Sequence, residues 1–220
     1  MLPITDVIFD LDGTLVDSFP GIAQAACAAC ARIVPGRPVP DFRPFIGPPI
    51  RQIFRRALDE SQETVVDALE AAFRAAYDGG AWRQSFLYPG AKEALAALRR
   101  EDRRCYVLTN KPRLATQRIL EHLAVADCFL EAVSPDCRQP PYGSKTEALM
   151  ELGRRCALNP ATILLVGDGP DDAAAAEAGG FRFAAAAFGY GAGSDQGHHP
   201  IHARLHTLAD LPLLAARGFA

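Results

Sequence analysis

The stretch from Val7 to Ser18 reads Val-Ile-Phe-Asp-Leu-Asp-Gly-Thr-Leu-Val-Asp-Ser, and it decides the fold. Its first three residues form a short apolar run, which predicts a buried strand. Asp10 and Asp12 follow two positions apart, and side chains with this spacing in an extended chain point to the same side. Gly13 then allows the chain to turn away. We therefore expect two carboxylates to converge on one bound group at the end of a core strand.

The composition limits the class of protein. The chain has 220 residues, of which 49% are hydrophobic and 22% charged, enough for one substantial core and a small accessory domain. No apolar run approaches the roughly 20 residues of a membrane span, and the N-terminus lacks the pattern of a signal peptide. We expect a cytoplasmic protein without a membrane partner. The net charge of −3 and the lack of a basic stripe argue against a nucleic acid polymer as partner.

Residues 17–86 carry apolar side chains at helical spacing. The pattern predicts a first helix from Phe19 that ends at Pro35-Gly36, a second that begins after Pro48-Pro49 and a third that Ser61 caps. Beyond residue 87, helices alternate with short apolar strands, which predicts a parallel sheet covered on both faces. The predicted strands are 105–109, 128–133, 163–167 and 181–186.

The strand that begins at Val7 belongs with these later strands, because it would otherwise leave its hydrophobic residues unpaired. The helical segment is therefore expected to be an insertion. We predict an α/β protein with a Rossmann-like parallel-sheet core domain, residues 1–16 and 87–220, and an all-α cap domain, residues 17–86. Residues 17–18 and 84–88 are the expected hinges.

Polar residues follow several of the predicted strands. Thr109 and Asn110 end one strand, and Asp168 and Asp172 follow another. In open parallel sheets, ligands bind outside the carboxyl ends of the strands. Lys145 begins a helix between these two strands, where its ammonium group and the free backbone N–H groups can face an anion.

The run from Asp10 to Leu15 resembles the first motif of the haloacid dehalogenase-like hydrolase superfamily, Asp-x-Asp-Gly-Thr-Leu, at every fixed position. Thr109 is similar to the second motif, Lys145 to the lone lysine of the third, and Asp168 with Asp172 to the fourth, Gly-Asp-x-x-x-Asp. Within that superfamily, the helical insertion, residues 45–50 and residues 109–112 resemble the phosphoglycolate phosphatase group. Residues 138–144 depart from it.

The resemblance implies a phosphatase that uses Mg²⁺ and hydrolyses a small phosphate monoester, with phosphoglycolate as the leading type of substrate. Asp10 would attack the phosphorus and form an aspartyl-phosphate, and Asp12 would serve as acid and then as base. Thr109 and Lys145 would stabilise the transferring group. The implied ligands of Mg²⁺ are the carboxylates of Asp10 and Asp168 and the backbone carbonyl of Asp12. Asp172 would act through a bound water or by contacting these ligands rather than the metal.

Further residues are expected around the substrate. The predicted substrate-binding residues are Gly13, Thr109, Asn110, Lys145 and, from the cap, Arg51, with Arg43 and Arg55 as further cap cations. The segment 189–191 and the Gly-rich loop after it are expected to border the site. Lys111 is expected at its rim.

Single residues of the sequence exclude some of the enzyme classes within the superfamily. A dehalogenase would lack Asp12, and a phosphonate hydrolase would need a lysine in residues 17–86, which contain none. Three alternatives stay open: a phosphomutase of the β-phosphoglucomutase type, a nucleotidase or pyrophosphatase, and a non-catalytic protein that binds a phosphorylated ligand. The expected partner is a small phosphorylated metabolite, and the expected assembly is a monomer or a homodimer.

Overall fold

The computed structural model describes residues 3–193 and 198–217. Its strands are β1 (Asp6–Phe9), β2 (Val16–Asp17), β3 (Phe86–Leu87), β4 (Arg104–Leu108), β5 (Glu131–Val133), β6 (Ile163–Gly167), β7 (Arg182–Ala186) and β8 (Ala203–Leu205). Its helices are α1 (Phe19–Ile33), α2 (Ile50–Leu58), α3 (Glu63–Gly79), α4 (Ala91–Arg100), α5 (Arg113–His122), α6 (Lys145–Arg155), α7 (Pro170–Gly179) and α8 (Leu211–Arg217). None of these helices has the length and hydrophobicity that crossing a membrane requires.

Six of the strands form one parallel sheet in the order β5-β4-β1-β6-β7-β8. β1 is central, and Phe9 lies opposite Val107 of β4 and Val166 of β6. The predicted α/β class and parallel sheet are confirmed. The first strand of the sequence therefore ends between two neighbours that run in the same direction.

Side chains along the strands alternate between two layers, as the pleat requires. Val7 and Phe9 pack into a layer that also contains residues of α4, α5, α8 and the helices between β2 and β3. Ile8 points the other way, into a layer built with α6 and α7. The sheet is thus covered on both faces, which explains why its central strands are uninterrupted apolar runs.

Within the six-stranded sheet, two strands differ from the prediction, and the short strands β2 and β3 outside it were not predicted. The strand predicted over 128–133 is wrong in its first half, because Ala126–Cys128 form a short 3-10 turn and β5 begins only at Glu131. The edge strand β8 was not predicted, since its three residues are too few to show a pattern.

The helices α1, α2 and α3 all lie between β2 and β3. These two short strands pair antiparallel, with Val16 opposite Leu87 and Asp17 opposite Phe86. The chain therefore leaves the sheet and returns to it side by side. The division into two domains, with boundaries at residues 17 and 86, stays a prediction from the sequence. The β2–β3 pair contains both of these residues. We call residues 17–86 the cap segment.

Aromatic rings fill the interior of the cap segment. Phe54 of α2 is fully buried, with its ring centroid 5.9 Å from that of Phe42 and 6.2 Å from that of Phe73. Both contacts are edge-to-face, the geometry that aromatic pairs prefer. Phe73 in turn stacks on Tyr77 at 5.3 Å. Phe54 therefore joins α2 to α3 and to the loop before α2.

Replacing Phe54 by Ala should lower the free energy of unfolding by about 3–5 kcal/mol, because it removes a buried ring and leaves a cavity that two other rings line. Urea unfolding measures the change. Leu213→Ala is the control, since Leu213 is 55% exposed and should change stability by about 0.5 kcal/mol or less. An equal effect of both substitutions would contradict this account of the packing.

Candidate active site

Three polar residues follow directly on neighbouring strands of the sheet. Asp10 comes after β1, Thr109 after β4 and Asp168 after β6, and all three are buried. Because the strands are parallel and adjacent, their carboxyl ends meet at one edge. The structure thus brings together three of the residues that the sequence placed at strand ends.

Lys145 is the first residue of α6 and points into this edge. The hydroxyl of Ser144 caps the helix by accepting from the N–H of Glu147, which fixes where the helix begins. The Nζ atom of Lys145 lies 2.5 Å from Oδ1 of Asp10 and 2.5 Å from Oδ1 of Asp172. Burial by itself would lower the pKa of Lys145, but these carboxylates raise it above its usual value.

Asp10, Asp168 and Asp172 form a compact acidic cluster, with one carboxylate oxygen of each within 4.8 Å of the others. Burial raises the pKa of Asp10 well above its usual value, although Lys145 opposes the shift. Burial and the neighbouring Asp172 raise the pKa of Asp168 to about 6. Three buried carboxylates share one ammonium group, so the cluster carries a deficit of positive charge. A hard cation with oxygen ligands, such as Mg²⁺, fits this set of donors.

Asp168 is held from two sides. Its Oδ1 accepts from Oγ1 of Thr14 at 3.3 Å, and its Oδ2 accepts from the N–H of Gly191 at 2.8 Å. Gly13 makes room for it: its φ is +91°, and a Cβ there would lie 2.4 Å from Oδ2 of Asp168. The N–H of Gly13 already donates to the carbonyl of Val16 at 2.9 Å. The absence of a Cβ at Gly13 thus admits Asp168, and its role in binding substrate stays a prediction.

Asp12 uses its side chain away from the acidic cluster. The hydroxyl of Ser18 donates to its Oδ1, and Nζ of Lys111 donates to its Oδ2 at 2.9 Å. Lys111 is 8% exposed, so the expectation of a rim residue is wrong. Burial would lower the pKa of Lys111, but Asp12 raises it above its usual value. The sequence offers one indication of this contact, because Lys111 stands two positions after Thr109 and so shares its side of an extended chain.

Asn110 connects the sheet edge to the cap segment. Its Nδ2 donates to the carbonyl of Gly47 at 3.2 Å and to Oδ2 of Asp171 at 3.4 Å. A cavity of about 300 Å³ lies in the same region. Its catalytic-edge residues are Asp10, Asp12, Thr109, Asn110, Lys145, Asp168 and Asp172. The predicted site residues thus border one cavity, except for Gly13 and the cap arginines Arg43, Arg51 and Arg55.

The cap arginines are distributed differently from the prediction. Arg51 pairs with Glu63, Asp67 and Glu70 of α3 and does not line this cavity. Its positive charge is compensated there, so the prediction that it binds substrate is corrected. Arg56, which the sequence analysis missed, lines the cavity together with Gln52. These two residues are four apart on α2 and share one face of the helix, but the pattern does not show that this face lies on the cavity.

The segment 189–191 borders the site, as expected, while residues 194–197 of the loop after it lie outside the described residues. Tyr190 and Gly191 line the cavity. The hydroxyl of Tyr190 donates to Oδ1 of Asp17 at 2.6 Å and accepts from the N–H of Phe19 at 2.9 Å. The loop therefore contacts the point where the chain enters the cap segment.

Comparison with known proteins decides the family. The family model for haloacid dehalogenase-like hydrolases matches residues 6–180. The chain belongs to this family. The haloacid dehalogenase-like assignment agrees with the motif at Asp10 and with the order of the strands, and the predicted family is confirmed.

Individual relatives support the same conclusion. A phosphoglycolate phosphatase of Cereibacter sphaeroides is 34% identical over 205 residues, which cover 89% of this chain and 88% of that protein. The tyrosine-protein kinase PtkA of Mycobacterium tuberculosis is 33% identical over 189 residues, 84% of this chain and 62% of that protein. A solved structure of a predicted phosphoglycolate phosphatase from Haemophilus somnus superposes with a TM-score of 0.84 at 26% identity, covering 96% of this chain and 97% of that one. The predicted enzyme class, a phosphatase of the haloacid dehalogenase-like family, is confirmed.

Replacing Gly13 by Ala should lower phosphatase activity about 10²-fold, because the added Cβ displaces Asp168 from the acidic cluster. The control is Gly36→Ala. Gly36 has a similar φ of +82° but no atom within 4 Å of an added Cβ, so it shares the backbone strain of about 1–2 kcal/mol without the clash. Turnover of p-nitrophenyl phosphate and urea unfolding separate the two effects. Full activity of the Gly13 variant would disprove the steric role.

Proposed function

We propose that this protein is a Mg²⁺-dependent phosphatase that hydrolyses a small phosphate monoester through an aspartyl-phosphate on Asp10. The observation that carries the proposal is the convergence of Asp10, Lys145, Asp168 and Asp172 at the carboxyl edge of the sheet. Such a set combines a nucleophilic carboxylate with a cation and with donors for a metal ion. The phosphatases among the relatives support the same reaction.

The proposed reaction assigns separate roles to Asp10 and Asp12. A carboxylate of Asp10 attacks the phosphorus, and the bond between phosphorus and the ester oxygen breaks as Asp12 gives that oxygen a proton. Water then attacks the acyl phosphate while Asp12 takes a proton from it. Inorganic phosphate leaves, and Asp10 is free again.

Two side chains lie near the expected position of the negatively charged phosphoryl group. The ammonium of Lys145 and the hydroxyl of Thr109 lie where they can stabilise its equatorial oxygens. Asp10, the carbonyl of Asp12 and Asp168 would hold Mg²⁺, with Asp172 behind them. When bound by these residues, the metal ion would supply positive charge opposite the phosphoryl oxygens. Because the acidic residues are buried, these interactions operate with little competition from water.

The substrate that we propose is of the phosphoglycolate type. The cavity of about 300 Å³ suits a small phosphorylated metabolite. Arg56 faces this cavity from α2, and within the described residues it has none of the ion pairs that engage Arg51 and Arg55. A carboxylate on the leaving group would find its counter-charge there. The phosphoglycolate phosphatases among the relatives favour the same class of substrate.

Replacing Asp10 by Asn should reduce phosphate release by about 10³-fold or more, since an amide cannot form the phosphoenzyme. The assay measures phosphate released with Mg²⁺ from p-nitrophenyl phosphate, phosphoglycolate, nucleotides, sugar phosphates and pyrophosphate. Asp210→Asn, at an exposed carboxyl, should keep its activity. Equal turnover by the Asp10 variant and the native chain would refute the covalent mechanism. Transfer of phosphate to a sugar hydroxyl instead of water would indicate a phosphomutase.

Replacing Arg56 by Ala should lower kcat/KM for phosphoglycolate about tenfold and leave p-nitrophenyl phosphate little changed, because only the first carries a carboxylate that the guanidinium can bind. The matched control is Arg55→Ala, since Arg55 is the neighbouring cation on α2 but pairs with Glu63. Equal losses on both substrates, or an equal loss in the Arg55 variant, would contradict this role.

A further inference from the structure

Lys111 is the second buried ammonium group of the site, and the mechanism above gives it no task. It lies in the loop after β4, next to the residues that contact the phosphoryl group, and its own N–H donates to Oγ1 of Thr109 at 3.1 Å. Its Nζ donates to Oδ2 of Asp12 at 2.9 Å. Since Ser18 donates to Oδ1, the carboxyl of Asp12 is held at both oxygens.

The two partners of Asp12 differ in what they can do. A hydroxyl can both donate and accept, so Ser18 is compatible with a proton at Oδ1. An ammonium group can only donate, so Lys111 keeps Oδ2 as an acceptor. When Asp12 is protonated, this arrangement therefore favours the proton on Oδ1. Lys111 in this way influences which oxygen of Asp12 delivers the proton.

The cap segment encloses this pair. The ring centroid of Tyr77, on α3, lies 5.0 Å from Nζ of Lys111, which is a cation–π contact. Tyr77 is itself 4% exposed and belongs to the buried row of aromatic rings. Since Lys111 is itself only 8% exposed, its interaction with Asp12 is screened less than the same pair would be at the surface.

Asp12 also separates two cavities. A second cavity, of about 110 Å³, is lined by Lys111, Tyr77 and apolar residues of the cap segment. It shares Asp12, Asn110 and residues 46–48 with the larger cavity that holds Asp10. The carboxyl that Lys111 holds therefore borders the cavity in which we propose that the ester binds.

We propose that Lys111 is a positioning residue, which orients the carboxyl of Asp12 for proton transfer to the leaving oxygen. The proposal rests on the proposed phosphatase function. Lys111 keeps its own protons throughout: the proton moves from Oδ1 of Asp12 to the ester oxygen as the bond from phosphorus to that oxygen breaks. Lys111 does not line the cavity that holds Asp10, so its proposed effect is exerted through Asp12.

The test compares two kinds of ester. Nitrophenolate leaves without a proton, whereas an alkoxide needs one, so a defect confined to general acid catalysis affects only alkyl esters. The value of kcat/KM reports the steps up to departure of the leaving group and is not affected by the later role of Asp12 as base. Lys111→Met, Lys111→Gln and the native chain are assayed with Mg²⁺ on p-nitrophenyl phosphate and on the best alkyl phosphate of the substrate panel.

In Lys111→Met, kcat/KM for the alkyl phosphate should fall about 10²-fold, within the range of general acid catalysis, and that for p-nitrophenyl phosphate should stay near the native value. Lys111→Gln keeps a donor without the charge and should recover part of the loss. It also provides a second variant if the Met variant does not fold, which urea unfolding shows. Lys92→Met, at an exposed lysine of α4, is the control and should match the native chain.

Two results would overturn the role of Lys111 alone: an equal loss on both esters, which marks a purely structural ion pair, or no loss on either. If the native chain hydrolyses no ester at all, the phosphatase proposal itself fails and the role of Lys111 fails with it. Activity of the native chain thus tests the proposed function. The ratio of the kcat/KM values for the two esters tests the positioning role of Lys111.

Discussion

The crowding of negative charge at the end of β1 is the constraint on which the site depends. Asp10, Asp168 and Asp172 are buried within 4.8 Å of one another, and a folded chain tolerates this only where positive charge lies in reach. Lys145 supplies one such charge, from a position that is set by the first turn of α6. The start of that helix must therefore stay in register with the central strand. Burying three carboxylates together costs free energy when no ligand is bound. A divalent cation would offset their negative charge, and a phosphate ester would then find positive charge from the cation and Lys145, so the site favours binding the two together.

The cap segment and the sheet edge are parts of one site. Asn110 reaches from the edge to Gly47, Tyr190 reaches to Asp17 and Phe19, and Lys111 lies under the ring of Tyr77. Each of these contacts joins a residue of the sheet edge to residues 17–86. Asp10 and Asp168 follow core strands and Asp172 lies on α7, whereas the surroundings of Asp12, the proposed acid and base, depend on where the cap segment lies.

Much of this arrangement could be predicted from the sequence, because the strands and the chemistry share the same residues. The apolar run before Asp10 predicted a core strand with a candidate nucleophile at its end. Lys145 was predicted from its position at the start of a helix. Residues whose roles depend on docking could not be found in this way. Arg51, Arg55 and Arg56 lie within two turns of one helix, and which of them faces the cavity is decided by how α2 packs through Phe54. The pattern likewise does not show that Gly13 lies against Asp168, because that approach depends on how two separate strands end side by side.

The antiparallel pair of β2 and β3 has a consequence for how such a protein can change over generations. Paired strands lie about 4.8 Å apart, so the two ends of residues 17–86 leave the core as neighbours. A gap of that width can be closed by a two-residue turn or by a segment of any greater length. Insertions at this point can thus be exchanged or rebuilt as one contiguous piece of coding sequence while the positions of Asp10 and Lys145 are inherited unchanged. A lineage can in this way acquire a new substrate by recombination at two adjacent points, without first losing its chemistry.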